Sequence, residues 1–233
     1  MDANPDPTAG RVSPLLALLL IVPAPTIGAA MMLIIAPGTI GTVATALCKI
    51  WILLLPLLWH RYVDRAKLTL PKLTLAGIPA AIGLGIVIMI AMLAAFYLIG
   101  QDAIDVARVR EKAAAVFINT PAGYVLLFSF LILVNSLLEE YVWRWFVFRQ
   151  CERLMPGWAA AVVSAALFTI HHVLALSAWV PPQLNLLGNL GVFVGATVWS
   201  GLYLKYRSIW APYVCHVFAD VAIFIMGWGL IIG

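Results

Sequence analysis

The sequence predicts an all-α, polytopic bundle of about seven transmembrane helices with its N-terminus on the cytoplasmic side. Three observations predict it. The 233 residues are 64% hydrophobic and only 10% charged, against roughly 45–50% and 25% in soluble domains, and mean hydropathy is +1.04. The apolar residues fall into runs of the ~20 residues that a ~30 Å hydrocarbon core demands. Lys and Arg gather in alternate loops, as cytoplasmic loops of membrane proteins require. This composition excludes a soluble globular enzyme, a disordered chain and a disulfide scaffold. No alternating pattern of ~10-residue segments suggests a membrane β-barrel.

The first predicted span covers 13–36. Arg11 followed by the apolar run Leu15 to Val22 resembles the start of a signal peptide. It is read instead as a retained first helix, kinked by Pro23 and Pro25. Further spans are predicted at 40–59, 74–100 and 122–146, the last interrupted by Glu139 and Glu140. The remaining three cover 157–179, 184–204, which begins beside the Pro181–Pro182 turn, and 208–231. Segment 101–119 reads equally as an interfacial amphipathic helix or a solvated loop. With no internal repeat and no long linker, 1–233 is read as a single transmembrane domain.

Orientation follows from the basic residues. Arg11, then Arg61, Arg65, Lys67 and Lys72, then Arg144, Arg149 and Arg153, then Lys205 and Arg207 would all lie on one side. The opposite side has Arg108, Arg110 and Lys112, offset by Asp102, Asp105 and Glu111. The rule places the N-terminus in the cytoplasm and the C-terminus outside. The net charge of +4 is therefore a loop bias and not a sign of nucleic-acid binding. Cys48, Cys151 and Cys215 are widely spaced and read as buried, inert thiols. The nine Trp and seven Tyr read mostly as interfacial anchors.

Charges inside a bilayer cost about 2.5–3.5 kcal/mol each on insertion scales, so those within spans carry information. Among the ten acidic residues only Glu139, Glu140 and Asp220 fall inside spans, and among the four histidines His171, His172 and His216 do. His60 sits at a helix end. Helical spacing pairs Glu140 with Arg144, Asn135 with Glu139, Phe168 with His172 and His216 with Asp220, each at i,i+4. Glu139 lies about 100° around the helix from Glu140, and His171 about 100° from His172. His171 and Phe168 read as packing residues, with His171 a supporting hydrogen-bond donor at most. Glu139 would lie about 15 Å from the nearest cytoplasmic loop, at a depth matching His216.

This set suits hydrolysis within a membrane. A carboxylate beside an imidazole can activate water, and a second imidazole can donate to a developing oxyanion. Glu139, His172 and His216 could instead bind zinc and leave a position open for water. The common HExxH zinc motif is absent.

Three motifs now stand out in order on separate spans. EExxxR appears as Glu139-Glu140-Tyr141-Val142-Trp143-Arg144, FxxxH as Phe168 to His172, and HxxxD as His216 to Asp220. In these motifs, confined to 139–220, the chain resembles the CAAX protease and bacteriocin-processing family, which includes the Ras-converting CAAX endopeptidases. The resemblance implies an intramembrane endopeptidase in which Glu139 and His172 activate water while His216 and the residue at 220 stabilise the oxyanion. Glu140 and Arg144 would support the site. It implies a cavity open toward the cytoplasmic half and a peptide or membrane-protein substrate, either lipidated or cut near its C-terminus. The eukaryotic enzymes carry Asn where this chain has Asp220, and an ionised Asp cannot donate to an oxyanion. The Asp form is frequent among bacterial members, which points to a prokaryotic cytoplasmic membrane. The family has been described both as metalloproteases and as glutamate-dependent, and the expectation here is no metal and no cofactor, with zinc left open. Two rival readings are a non-proteolytic scaffold or immunity-type protein and a proton-coupled transporter. The missing repeats weigh against the transporter.

Overall fold

The computed structural model describes residues 9–66, 74–115 and 118–233, with side chains from residue 13 onward at the N-terminal end. Lys67, Lys72 and the side chain of Arg11, all used above for orientation, lie outside the described residues. Among the described residues seven helices are long and apolar enough to cross a membrane: Ser13–Ile35, Thr39–Val63, Ile78–Ala103, Pro121–Glu152, Gly157–Ser177, Pro182–Tyr206 and Trp210–Ile231. The protein is an integral multi-pass membrane protein. Its perimeter carries side chains that no soluble surface would show, among them Leu98, Leu126 and Leu186, each at least three-quarters exposed. Lipid tails are as apolar as these side chains, so no free energy drives them inward.

What holds such a bundle together is close packing. The fifth, sixth and seventh spans meet through small buried residues: Ala160, Ala161 and Ala165, then Gly195 and Ala196, then Ala211, Cys215 and Ala219. Small side chains let helix backbones approach closely enough for dispersion contacts to accumulate. The third span lies along the seventh, and Gly85 is where they touch most tightly. A Cβ at Gly85 would sit 2.5 Å from the Phe218 ring. Gly85→Val should therefore push Phe218, and with it the His216–Asp220 segment, off its seat. Overpacking of this kind costs about 1–3 kcal/mol. The expected result is a lower thermal midpoint in detergent, while Gly83→Val, where the added Cβ meets nothing within 4 Å, should leave it nearly unchanged.

The fourth span is longer than the predicted 122–146 and runs to Glu152. Arg144 therefore does not belong to a cytoplasmic loop. It is buried, with 1% exposure, because Glu140 one turn earlier and two aromatic rings receive its charge. The π-helical stretches Leu131–Asn135 and Tyr141–Phe148 frame a short α-helical piece, Ser136–Glu140. In lipid each backbone carbonyl freed by such a change of pitch needs a partner. The Ser136 hydroxyl lies 2.8 Å from the Leu131 carbonyl oxygen and 3.1 Å from that of Ile132. Such widened turns recur at functional sites.

Segment 101–119 resolves as a helix, Val106–Ala115, with Val109 and Ala113 buried. Asp105 Oδ1 accepts from the Arg108 backbone N–H at 3.0 Å and so caps it. Arg110 donates to the carbonyls of Leu230 at 2.9 Å and Gly233 at 2.6 Å, and Lys112 donates to that of Ala178. These carbonyls are the orphan acceptors at the ends of the seventh and fifth spans. At the other end Arg207 grips Glu152 with two bonds of 2.6 and 2.7 Å. Those bonds raise the Arg207 pKa above its ordinary value and tie the fourth span to the turn before the seventh.

Candidate active site

The centre of the bundle is a buried charge cluster carried by the fourth and seventh spans. Glu140 is fully buried, and its Oε1 serves two partners. Arg144 Nη1 lies 3.2 Å from it along the same helix, and His216 Nδ1–H donates to it at 2.8 Å. The second contact is not a feature of helical spacing, since the two residues lie 76 positions apart. Arg144 is completed by its surroundings: its guanidinium carbon lies 5.0 Å from the Phe168 ring and 5.1 Å from the Trp199 ring, and Nη2 donates to the Ala196 carbonyl at 3.4 Å. Burying such a pair costs several kcal/mol per ion unless hydrogen bonds and ring faces replace water. Here the ring faces and the ion pair supply part of that replacement, while Arg144 Nε and Glu140 Oε2 are buried without a hydrogen-bond partner.

His216 is held on three sides. Nδ1 is on Glu140, and its ring stacks on Trp199 with centroids 3.9 Å apart and planes 17° apart. Its Nε2 lies 3.8 Å from Glu139 Oε2 and 3.8 Å from Asp220 Oδ1. Glu139 in turn accepts from the Asn135 amide at 2.9 Å, and Asp220 Oδ2 lies against the Ser136 hydroxyl, whose single hydrogen it shares with the Leu131 and Ile132 carbonyls. Asn135 and Ser136, at the junction of π and α geometry, thus orient one carboxylate each. Glu139 and Asp220 keep 24% and 20% side-chain exposure, while His216 keeps 6%. Access to the cluster therefore falls on the two carboxylates.

His172 comes from the fifth span. Its Nδ1 lies 3.1 Å from the Phe168 carbonyl, which only accepts, so the proton sits on Nδ1 and Nε2 carries the lone pair. Phe168 packs against this ring at 4.5 Å and lies 6.4 Å from the ring of His216. His171 faces elsewhere and stacks on Trp143 at 5.5 Å, 10° from coplanar. His216 Nε2 thus lies 3.8 Å from a carboxylate oxygen of Glu139 and 3.8 Å from one of Asp220, with His171 in the packing behind.

One expectation needs correction. Trp143, Trp199 and Trp59 are not interfacial anchors: they are 2%, 4% and 6% exposed. Sequence reasoning missed Trp199 and Ser136 as site residues. The signal for Trp199 was its place within the sixth span, too deep for a ring that serves the headgroup region. Among the described residues no group of three His, Cys, Asp or Glu converges as a set of metal ligands.

Residues 121–222, from the start of the fourth span into the seventh, match the family model for type II CAAX prenyl endopeptidase Rce1-like proteins. The match contains every residue of the cluster just described. Over these residues, a little under half of the chain, the protein is similar to the CAAX protease family. That family consists of intramembrane proteases, and its substrates are peptides at the membrane. No curated protein and no solved structure matches the chain. The first three spans lie outside the matched region and pack against it: the third braces the seventh, and Tyr141 on the fourth donates from its hydroxyl to the Leu53 carbonyl of the second at 3.0 Å.

Proposed function

We propose that the protein is a glutamate-dependent intramembrane endopeptidase. The observation that carries this reading is the position of His216 Nε2, 3.8 Å from both Glu139 and Asp220, with Nδ1 already committed to Glu140. Glu139 takes a proton from a water molecule held between it and His172 Nε2. The resulting hydroxide attacks the carbonyl carbon of the scissile bond. The oxyanion that forms meets the Nε2–H of His216 in its imidazolium form, the donor that Glu140 and Trp199 hold in place. Asp220 has no hydrogen to give an oxyanion when ionised. Its role is to face His216 and keep that donor charged and aimed. Glu139 then passes its proton to the departing amine as the C–N bond breaks, and the enzyme returns to its starting state. Preorganised donors in a dry site are the largest contribution to such catalysis.

The substrate in this reading is a peptide tail or membrane-protein segment presented at the bilayer, and the membrane is the cytoplasmic membrane of a prokaryote. The test is cleavage of a library of tail peptides, lipidated and unlipidated, by purified protein in detergent, with His172→Ala beside the wild type. Cleavage by the wild type and a loss of about 10²–10⁴-fold in the variant support the reading. Peptide binding without cleavage by either protein points to a scaffold, and proton-driven uptake in vesicles to a transporter.

The proposed chemistry uses no metal. Elemental analysis of protein purified without a histidine tag should show zinc well below one equivalent, and chelation should leave turnover intact. One equivalent of zinc, with activity lost on chelation and restored by added metal, would make Glu139 a ligand in place of a base.

A further inference from the structure

At the basic end of the bundle, on its perimeter and away from the charge cluster, a cleft of about 380 Å³ opens between the end of the second span and the end of the fourth. His60, Asp64, Trp145, Arg149, Gln150 and Arg153 line it. Most of its charges already have partners. Arg153 bonds Asp64 at 3.0 Å and Gln150 at 3.1 Å, and Glu152 at the rim is held by Arg207. Arg149 is different. It is exposed, and its guanidinium carbon lies 5.9 Å from the Trp145 ring. Among the described residues no carboxylate forms an ion pair with it. Trp145 itself stacks on Tyr141 at 5.3 Å and is flanked at 5.1 Å by the tilted ring of His60, so it forms a firm wall beneath the cation.

The cleft therefore offers one uncompensated guanidinium over an aromatic wall, at the level where the spans leave the hydrocarbon. We propose that it binds the phosphate of an anionic phospholipid. A guanidinium is the side chain best matched to phosphate oxygens. Basic pockets between transmembrane helices are where lipid phosphates lodge, and the volume falls in the range of ligand clefts, roughly 300–1,000 Å³. Arg153 is engaged by Asp64 and Gln150, which leaves Arg149 as the anchor, and Asp64 disfavours a ligand carrying more than one charge. The flanks of the cleft are lipid-facing: Tyr62 and Val63 are 70% and 48% exposed, so acyl chains can run down the bundle from a phosphate seated at Arg149.

Native mass spectrometry of the full-length protein in detergent, titrated with phosphatidylglycerol or phosphatidylcholine, tests this. The wild type should retain phosphatidylglycerol in preference to phosphatidylcholine. Arg149→Gln should weaken that retention about tenfold, Arg149→Lys should weaken it less, and Arg61→Gln, an exposed arginine outside the cleft, should leave it unchanged. Equal retention by the wild type and Arg149→Gln overturns the proposal, as does an equal loss in Arg61→Gln, which would mark general charge attraction. Displacement of the lipid by excess soluble glycerol phosphate would also overturn it, because it would assign the cleft to a soluble phosphate. If Arg149→Gln leaves lipid retention intact but raises KM for peptides with a free C-terminal carboxylate and not for their amides, the cleft binds the substrate's end instead. None of the lipid readouts depends on proteolysis, so they stand or fall apart from the proposed activity.

Discussion

Glu139→Gln should abolish peptide hydrolysis, lowering kcat by about 10²–10⁴-fold, the range contributed by a positioned acid–base group, with little loss of stability. The two effects separate because of what Glu139 touches. Its hydrogen-bond partner is the Asn135 amide at 2.9 Å, and a glutamine oxygen accepts that bond equally well. Its contact with His216 is a 3.8 Å electrostatic one. The carboxylate retains 24% exposure, so replacing it leaves no buried charge stranded. What is lost is the ability to take a proton from water and return it to the leaving amine. Single-turnover assays with a cleaved peptide, together with thermal unfolding of both proteins in the same detergent, decide the matter. A Glu139→Gln protein that unfolds readily would mean that the carboxylate is a structural partner of His216. One that still turns over at the wild-type rate would remove Glu139 from the chemistry.

Glu140→Ala should do the reverse, with the largest stability loss of any single change at this site. Glu140 is fully buried and serves Arg144 at 3.2 Å and His216 at 2.8 Å through one oxygen. Removing one partner of a buried pair costs about 3–5 kcal/mol, because the remaining charge is left without compensation. Here that charge is Arg144, buried against Phe168, Trp199 and the Ala196 carbonyl. The expected readout is a large fall in the thermal midpoint and in the yield of folded protein. The double variant Glu140→Ala/Arg144→Met should recover much of the stability and little of the activity, because His216 still lacks the acceptor that orients it. If Glu140→Ala unfolds like the wild type, the buried pair contributes nothing to the fold and the assignment is wrong.

Much of this was legible along the chain. The seven apolar runs correspond to seven spans, with ends that shift by a few residues except in the fourth. The i,i+4 pairs Asn135–Glu139, Glu140–Arg144 and Phe168–His172 are all in contact. These are consequences of helical pitch, which a sequence states directly. His216 and Asp220 share a face as the pitch requires, yet each has a stronger bond to the fourth span, to Glu140 and Ser136. The order and spacing of the three motifs also suffices to bring the family into view.

The remainder depends on which helix faces meet, and helical pitch is silent on that. The sixth span contributes no acid or histidine to the site, and only packing shows that its Trp199 is the plate on which His216 lies. Glu140 reads along the chain as the partner of Arg144 alone. Its bond to His216 exists because small residues bring the helices within reach, placing a side chain of the seventh span against one of the fourth. Arg144 reads as a loop residue because charge is scored by type, whereas its burial is decided by the rings and the carboxylate around it. The number of spans, the local pairs and the chemical inventory all follow from residue identity, hydropathy and a period of 3.6 residues. Which of those groups share one point in space is a matter of packing, because in a membrane close van der Waals contact between helices, and not the expulsion of water, selects the faces that touch.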